Sequence, residues 1–125
     1  MIRTIASIFI TLGLLIGVSV FEIFYVTHTF DYFNATLESL HQKTKEQTAT
    51  YEDGVAIQTY WRNKKKTLHI WLPHNALQEI DYQLDEAVGC IYLKDYQNAL
   101  PKVEILLGLS ENIPLSYSLK MQNIF

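Results

Sequence analysis

Residues 75–91 read NALQEIDYQLDEAVGCI, and their apolar positions decide the fold class. Leu77, Ile80, Leu84, Ala87 and Ile91 recur at alternating steps of three and four. That spacing lines one face of an α-helix and cannot line one face of a strand, where like residues recur every second position. Glu79, Asp81, Asp85 and Glu86 fill the polar positions with no base among them. Asn75 is a candidate cap, its side chain placed to accept from the amide of Leu77 or Gln78. Glu79 suits the positive end of the helix dipole.

Working back toward the N-terminus, the stretch from Val55 to Leu72 predicts a second helix, with Ile57, Trp61, Leu68 and either Trp71 or Leu72 on one side. Pro73 ends it, because proline disfavours helical geometry in the residue before it. Tyr51-Glu52-Asp53-Gly54 reads as the turn that precedes it. This helix carries Arg62, Lys64, Lys65 and Lys66 and no acid after Asp53, the opposite of the helix that follows. Two helices of opposite charge joined by a short turn are expected to lie antiparallel. Each exposed ion pair contributes about 0.2–1 kcal/mol. Burying each large side chain of the Leu/Ile/Trp seam contributes about 1.5–3 kcal/mol, so the seam dominates and charge sets the register.

Toward the C-terminus, Lys94-Asp95 marks a turn with Asp95 or Asn98 as cap, and a last helix is expected to run to about Ser110 with Leu100, Val103, Leu106 and Leu107 inward. Pro101 is tolerated in a first turn, which favours a start near Asn98, or else it kinks a helix that starts at Asp95. Pro114 is expected to close the helical region. In the tail LSYSLKMQNIF, Leu115, Tyr117, Leu119 and Met121 alternate, and a period of two predicts an extended segment laid along an apolar groove.

The N-terminal end is different in kind. Thr4 to Phe21 is a run of 18 residues without a charge. At 1.5 Å per residue it approaches the ~20 residues that a membrane span requires. Glu22 falls at or beyond the interface, and Phe21, Phe24 and Tyr25 lie where an aromatic belt is expected. Arg3 precedes the run and no Lys or Arg follows until Lys43, so the N-terminus is expected in the cytoplasm of a single-pass cell-membrane protein. A cleaved signal peptide fits less well: its apolar core is ordinarily ~7–15 residues, and the best small-x-small site, Gly17-Val18-Ser19, lies inside the run. Helical spacing at Tyr25, Phe33, Leu37 and Leu40, with no Gly or Pro between Val26 and Gly54, predicts one helix from about Ile5 to about Gln47.

The expected architecture is therefore all-α: an N-terminal transmembrane helix continuing into a small antiparallel four-helix bundle of two hairpins. Residues 1–26 form the anchor, 27–113 the helical domain and 114–125 the tail. Five Gly and three Pro are too few for an all-β sandwich. A net charge of −3 over 125 residues lacks the basic excess of a nucleic-acid binder. The lone Cys90 can form no internal disulfide, and a small buried hydrophobe is its expected role.

Several motifs fit one known family. Trp61, then Lys64-Lys65-Lys66, Leu68, and His74-Asn75-Ala76-Leu77 with Glu79-Ile80 form a recurring block. The Asp95…Ala99-Leu100 turn and the terminal Gln122-Asn123-Ile124-Phe125 match as well. With the apolar N-terminus, the chain resembles domain-of-unknown-function family 4363, single-anchor helical proteins of Gram-positive, mainly endospore-forming bacteria. Nearly the whole chain takes part, most densely residues 61–100. The resemblance implies no activity; it does imply a multi-spanning membrane protein as the kind of partner to look for. Pro101 and the surroundings of Gly54 depart from the family's usual charged helix formers.

No chemical constellation emerges from the spacing. The four histidines, His28, His41, His69 and His74, lack the i,i+4 pair with a third ligand that zinc requires. Asp81 and Asp85 are neighbours on one solvated face, without calcium-loop spacing. The reading is a non-enzymatic protein without cofactor or metal, which binds a protein partner in the same membrane. The alternative is an extracytoplasmic small-ligand or envelope-sensing domain, for which an apolar pocket rimmed by Tyr82, Tyr92 or Trp71 would speak. If the first helix projects outward, the Trp71–Asn75 turn and the tail both come back to the bilayer. That makes Trp71, His74, Leu115, Tyr117, Leu119, Ile124 and Phe125 the candidate partner-binding residues.

Overall fold

The computed structural model describes the backbone of residues 1–124, with the side chains of all of these except 118 and 120–124. Helix α1 runs Ile2–Lys45, α2 Tyr51–Leu68, α3 His74–Tyr92 and α4 Tyr96–Ile124. Successive helices are antiparallel. At the far end Tyr96 Oη, from the start of α4, donates to the Ala49 carbonyl at 3.0 Å, and the Tyr51 and Tyr92 rings meet at 5.0 Å. At the near end the Tyr25 and Trp71 rings meet edge-on at 5.5 Å, and Tyr117 Oη reaches Glu22 at 3.3 Å. Each helix packs on its chain neighbour, or across from α4 to α1, so the four form a closed ring with α1 opposite α3.

The core is built by strict spacing. On α1, Val26, Phe30, Phe33, Leu37, Leu40 and Thr44 are buried, an unbroken alternation of four and three. A repeat of 3.5 on helices of 3.6 residues per turn gives the shallow crossing of up-and-down bundles. Trp61 of α2 is buried against Phe30 and Phe33, at ring distances of 6.0 and 5.1 Å. From α3 come Leu77, Ile80, Leu84, Ala87, Val88 and Ile91, and from α4 Ala99, Val103 and Leu106. Toward the N-terminus α1 leaves the bundle: Thr4 to Phe21 is exposed along its length except for the half-buried Ser19.

Charge sets the α2–α3 pairing in register. Lys65 Nζ lies 2.7 Å from Asp81 and Arg62 lies 3.7 Å from Asp85. Asp81 also accepts from the indole N–H of Trp61 at 2.7 Å, so one carboxylate serves the two helices' seam and their rim.

Three local expectations are corrected. Tyr51–Gly54 is the first turn of α2 and not a loop. The Thr50 hydroxyl accepts from the Asp53 amide and the Asp53 carboxylate accepts from the Thr50 amide, a reciprocal capping box that satisfies two otherwise orphaned donors. The backbone N–H of Thr50 also holds the Asp53 carboxyl below its ordinary range. The actual turn lies upstream, where Gln47 takes the left-handed conformation (φ 61°) and the amides of Gln47 and Thr48 return to the carbonyls of Thr44 and Lys43. The α3–α4 turn repeats this device at Lys94 (φ 58°). Second, α2 ends at Leu68 rather than Leu72, and α3 is preceded by Pro73, with Asn75 inside the helix. The fixed φ and extended ψ of Pro73 supply the entry geometry that a polar cap would give. Leu72 is nevertheless buried, packing under the turn.

Third, the tail is not extended. Helix α4 begins just after Asp95 and continues through Pro101 and Pro114 to Ile124. Each proline forgoes one backbone bond, with a cost of up to ~3 kcal/mol. Packing compensates: Ser110, Ile113 and Tyr117 continue the inward stripe of Val103 and Leu106 at helical spacing. Asn34 Nδ2 donates to the Ser110 hydroxyl at 2.6 Å, fixing α4 to α1 just before Pro114.

Candidate functional site

The near end of the bundle holds a groove of about 490 Å³. Its walls are Ile70, Trp71, Leu72 and Pro73 of the α2–α3 turn, Ala76 of α3, Asn112, Ile113, Ser116 and Tyr117 of α4, and Glu22 of α1. Three elements that are remote in sequence converge there because the antiparallel ring returns every second turn to one end. The lining is mostly apolar, with Glu22, Asn112, Ser116 and Tyr117 as its polar members. Tyr117 Oη donates to the Glu22 carboxylate at 3.3 Å across 95 positions of sequence. Burial pushes the Tyr117 phenol up, with the Glu22 carboxylate adding to the effect, so this hydroxyl holds its proton and acts as a donor.

One wall continues into an aromatic cluster. Trp71 is half-buried against Tyr25, whose other neighbour is Phe21 at 6.1 Å. The Lys64 ammonium lies 5.5 Å above the Tyr25 ring and 5.8 Å from Tyr60. Burial pushes the Tyr60 phenol up to about 12, with Tyr32 and Tyr25 contributing, and its hydroxyl donates to the Thr29 carbonyl at 3.3 Å.

The candidate residues separate into two surfaces. Trp71 and Tyr117 line the groove. Leu115 and Leu119 lie one turn apart on the outer face of α4, 58% and 53% exposed. His74 is exposed at the first residue of α3 and stacks on His69 at 5.5 Å, outside the groove. Ile124 closes α4, its side chain outside the described residues, and Phe125 lies outside them altogether. Tyr82 and Tyr92 are exposed elsewhere. The sequence marks Glu22 only as a residue at the membrane interface, and no local pattern connects it to Tyr117. Among the described residues, no three His, Cys, Asp or Glu side chains gather to hold a metal ion. Cys90 is half-buried against the core.

Just below the groove, α1 becomes the exposed apolar rod, whose 18-residue window has a mean hydropathy of 2.3. By length and composition it is compatible with a single-pass membrane anchor. The fold and this rod define a class: a four-helix bundle carried on one long apolar N-terminal helix. The chain belongs to the family Domain of unknown function (DUF4363), whose profile matches residues 20–124. The match begins two residues before Glu22 and takes in the whole bundle. No curated protein and no solved structure was found to match the chain.

Proposed function

We propose that the protein is a non-catalytic, single-span membrane module whose helical domain, on the outer side of the cell membrane, binds a second protein embedded in the same membrane. The observation that carries this reading is the outer face of α4. Leu115 and Leu119 form an exposed apolar ridge at the end of the bundle where the apolar rod begins. A partner in the same bilayer meets that ridge and the rod together, and two tethered chains need little further affinity because each raises the other's local concentration. The lone Arg3 before the span supports an inward N-terminus.

A photo-crosslinking side chain placed at Leu115 or Leu119 is expected to give a discrete adduct with a protein that resists alkaline extraction from membranes. The same group at Leu93, exposed at the opposite end, is expected to give none. Equal adducts from both ends, or none from either, would refute the reading. Protease protection of a tag after Phe125 in intact cells tests the orientation. The Trp71 groove favours a second reading, that of a small-ligand or envelope-sensing domain.

A further inference from the structure

We infer that the groove at the near end of the bundle holds the acyl chain of a bilayer lipid, entering sideways from the outer leaflet. The inference rests on the membrane-anchored reading and gives the small-ligand alternative a definite ligand.

Position carries the argument first. Thr4 to Phe21 spans about 27 Å as a helix, close to the ~30 Å of a hydrocarbon core. Glu22 is the next residue along α1 and is itself part of the groove wall. The groove therefore opens at the boundary between hydrocarbon and head groups, where an acyl chain is always within reach. Nothing has to be extracted into water for the site to fill.

Chemistry follows the same axis. Trp71, Leu72, Ala76 and Ile113 supply an apolar lining, while the Glu22 carboxylate and the Tyr117 hydroxyl, hydrogen-bonded to each other, lie on the side where the rod begins. An apolar interior with a few polar groups at one end suits an amphiphile, and the volume of about 490 Å³ falls within the ~300–1,000 Å³ of ordinary ligand sites. Ile70 is 72% exposed at the tip of the turn beside the groove. In water that exposure is unfavourable; at a lipid boundary it is buried. Trp71 and Tyr25 occupy the level at which amphipathic rings settle in membranes.

The test uses the full chain reconstituted in phospholipid vesicles that contain a lipid with a photoactivatable diazirine on its acyl chain, with labelled residues mapped by peptide mass spectrometry. Labelling is expected within residues 4–21, and also within 70–76 and 112–117. Ala76→Phe fills the groove and is expected to cut labelling of the two groove segments at least fivefold while leaving that of 4–21 unchanged. Should melting by circular dichroism show that Ala76→Phe unfolds the domain, Ser116→Trp fills the groove from the exposed side of α4. Labelling confined to 4–21 overturns the inference and leaves the anchor standing. Labelling in none of these segments removes the anchor and the inference together. Groove labelling that persists in a folded, filled variant shows lipid lying against the domain rather than in it, and overturns the inference as well.

Discussion

Replacing Gly54 by alanine ought to destabilise this protein, although alanine is the better helix former. Gly54 is the fourth residue of α2 and is buried against α3. A Cβ built there would lie 2.9 Å from Val88 Cγ2, 3.1 Å from Cγ1 and 3.4 Å from Cβ. Those methyls belong to a β-branched side chain held to one rotamer in a helix, and Val88 is only 2% exposed, so it cannot swing aside. Propensity alone would favour Ala by about 0.5–1 kcal/mol. Overpacking a fixed contact costs about 1–3 kcal/mol. The balance is a net loss near 1 kcal/mol, which for a domain of this size lowers Tm by roughly 4–8 °C. Val88→Ala alone opens a cavity and costs about 1–3 kcal/mol. In the double variant the new methyl enters the space the valine vacates, so the two losses should fail to add by about 1–2 kcal/mol. Thermal and urea unfolding of the four proteins in one detergent, followed by circular dichroism, measures the cycle. A Gly54→Ala protein more stable than the parent, with losses that add within about 0.5 kcal/mol, would refute the close-contact argument.

Other expectations follow from single contacts. Asp81→Ala strands the buried indole N–H of Trp61 and should cost about 1–3 kcal/mol, whereas Asp81→Asn, which keeps an acceptor, should cost less; urea midpoints separate the two. Thr50→Ala removes the reciprocal cap of α2 and should cost about 0.5–2 kcal/mol, seen as faster amide hydrogen exchange in its first turn. The Tyr60 phenol is raised on folding from 10.0 to about 12, so folding favours its protonated form. The stability it contributes is complete below its unfolded pKa and is lost as pH rises from there through about 12. Comparing urea midpoints at about pH 9 and about pH 11 should show a fall in the parent that Tyr60→Phe reduces.

The sequence made the helical class and most of the core legible because both rest on a period that short-range spacing carries. Leu77, Ile80, Leu84, Ala87 and Ile91, and Phe33, Leu37 and Leu40, are buried as that spacing requires. What escaped it depended on partners distant in the chain. Gly54 reads as a turn residue until Val88 is placed beside it; its role is to admit another helix. The alternation Leu115, Tyr117, Leu119 is ambiguous in isolation. A strand puts all three on one face, but the helix puts Tyr117 inward on Glu22 and leaves the leucines one turn apart on the outside. The groove was half legible: antiparallel topology brought Trp71 and Tyr117 to the same end, while Glu22, Asn112 and Ser116 carried no signal of their own.

The pairing of α1 with α4 bears on how the protein is made. Asn34 meets Ser110 across 76 positions and Glu22 meets Tyr117 across 95. On the ribosome, α1 is therefore complete long before its counterpart exists, and the side of its apolar seam that α4 covers stays open throughout that interval. Hairpins between adjacent helices form early, but the ring closes only once α4 has been translated, and such long-range closure is slow. A chain stopped short of Ser110 lacks the clasp altogether and presents its apolar seam to chaperones and proteases. Closure of the bundle thus depends on the arrival of a single helix.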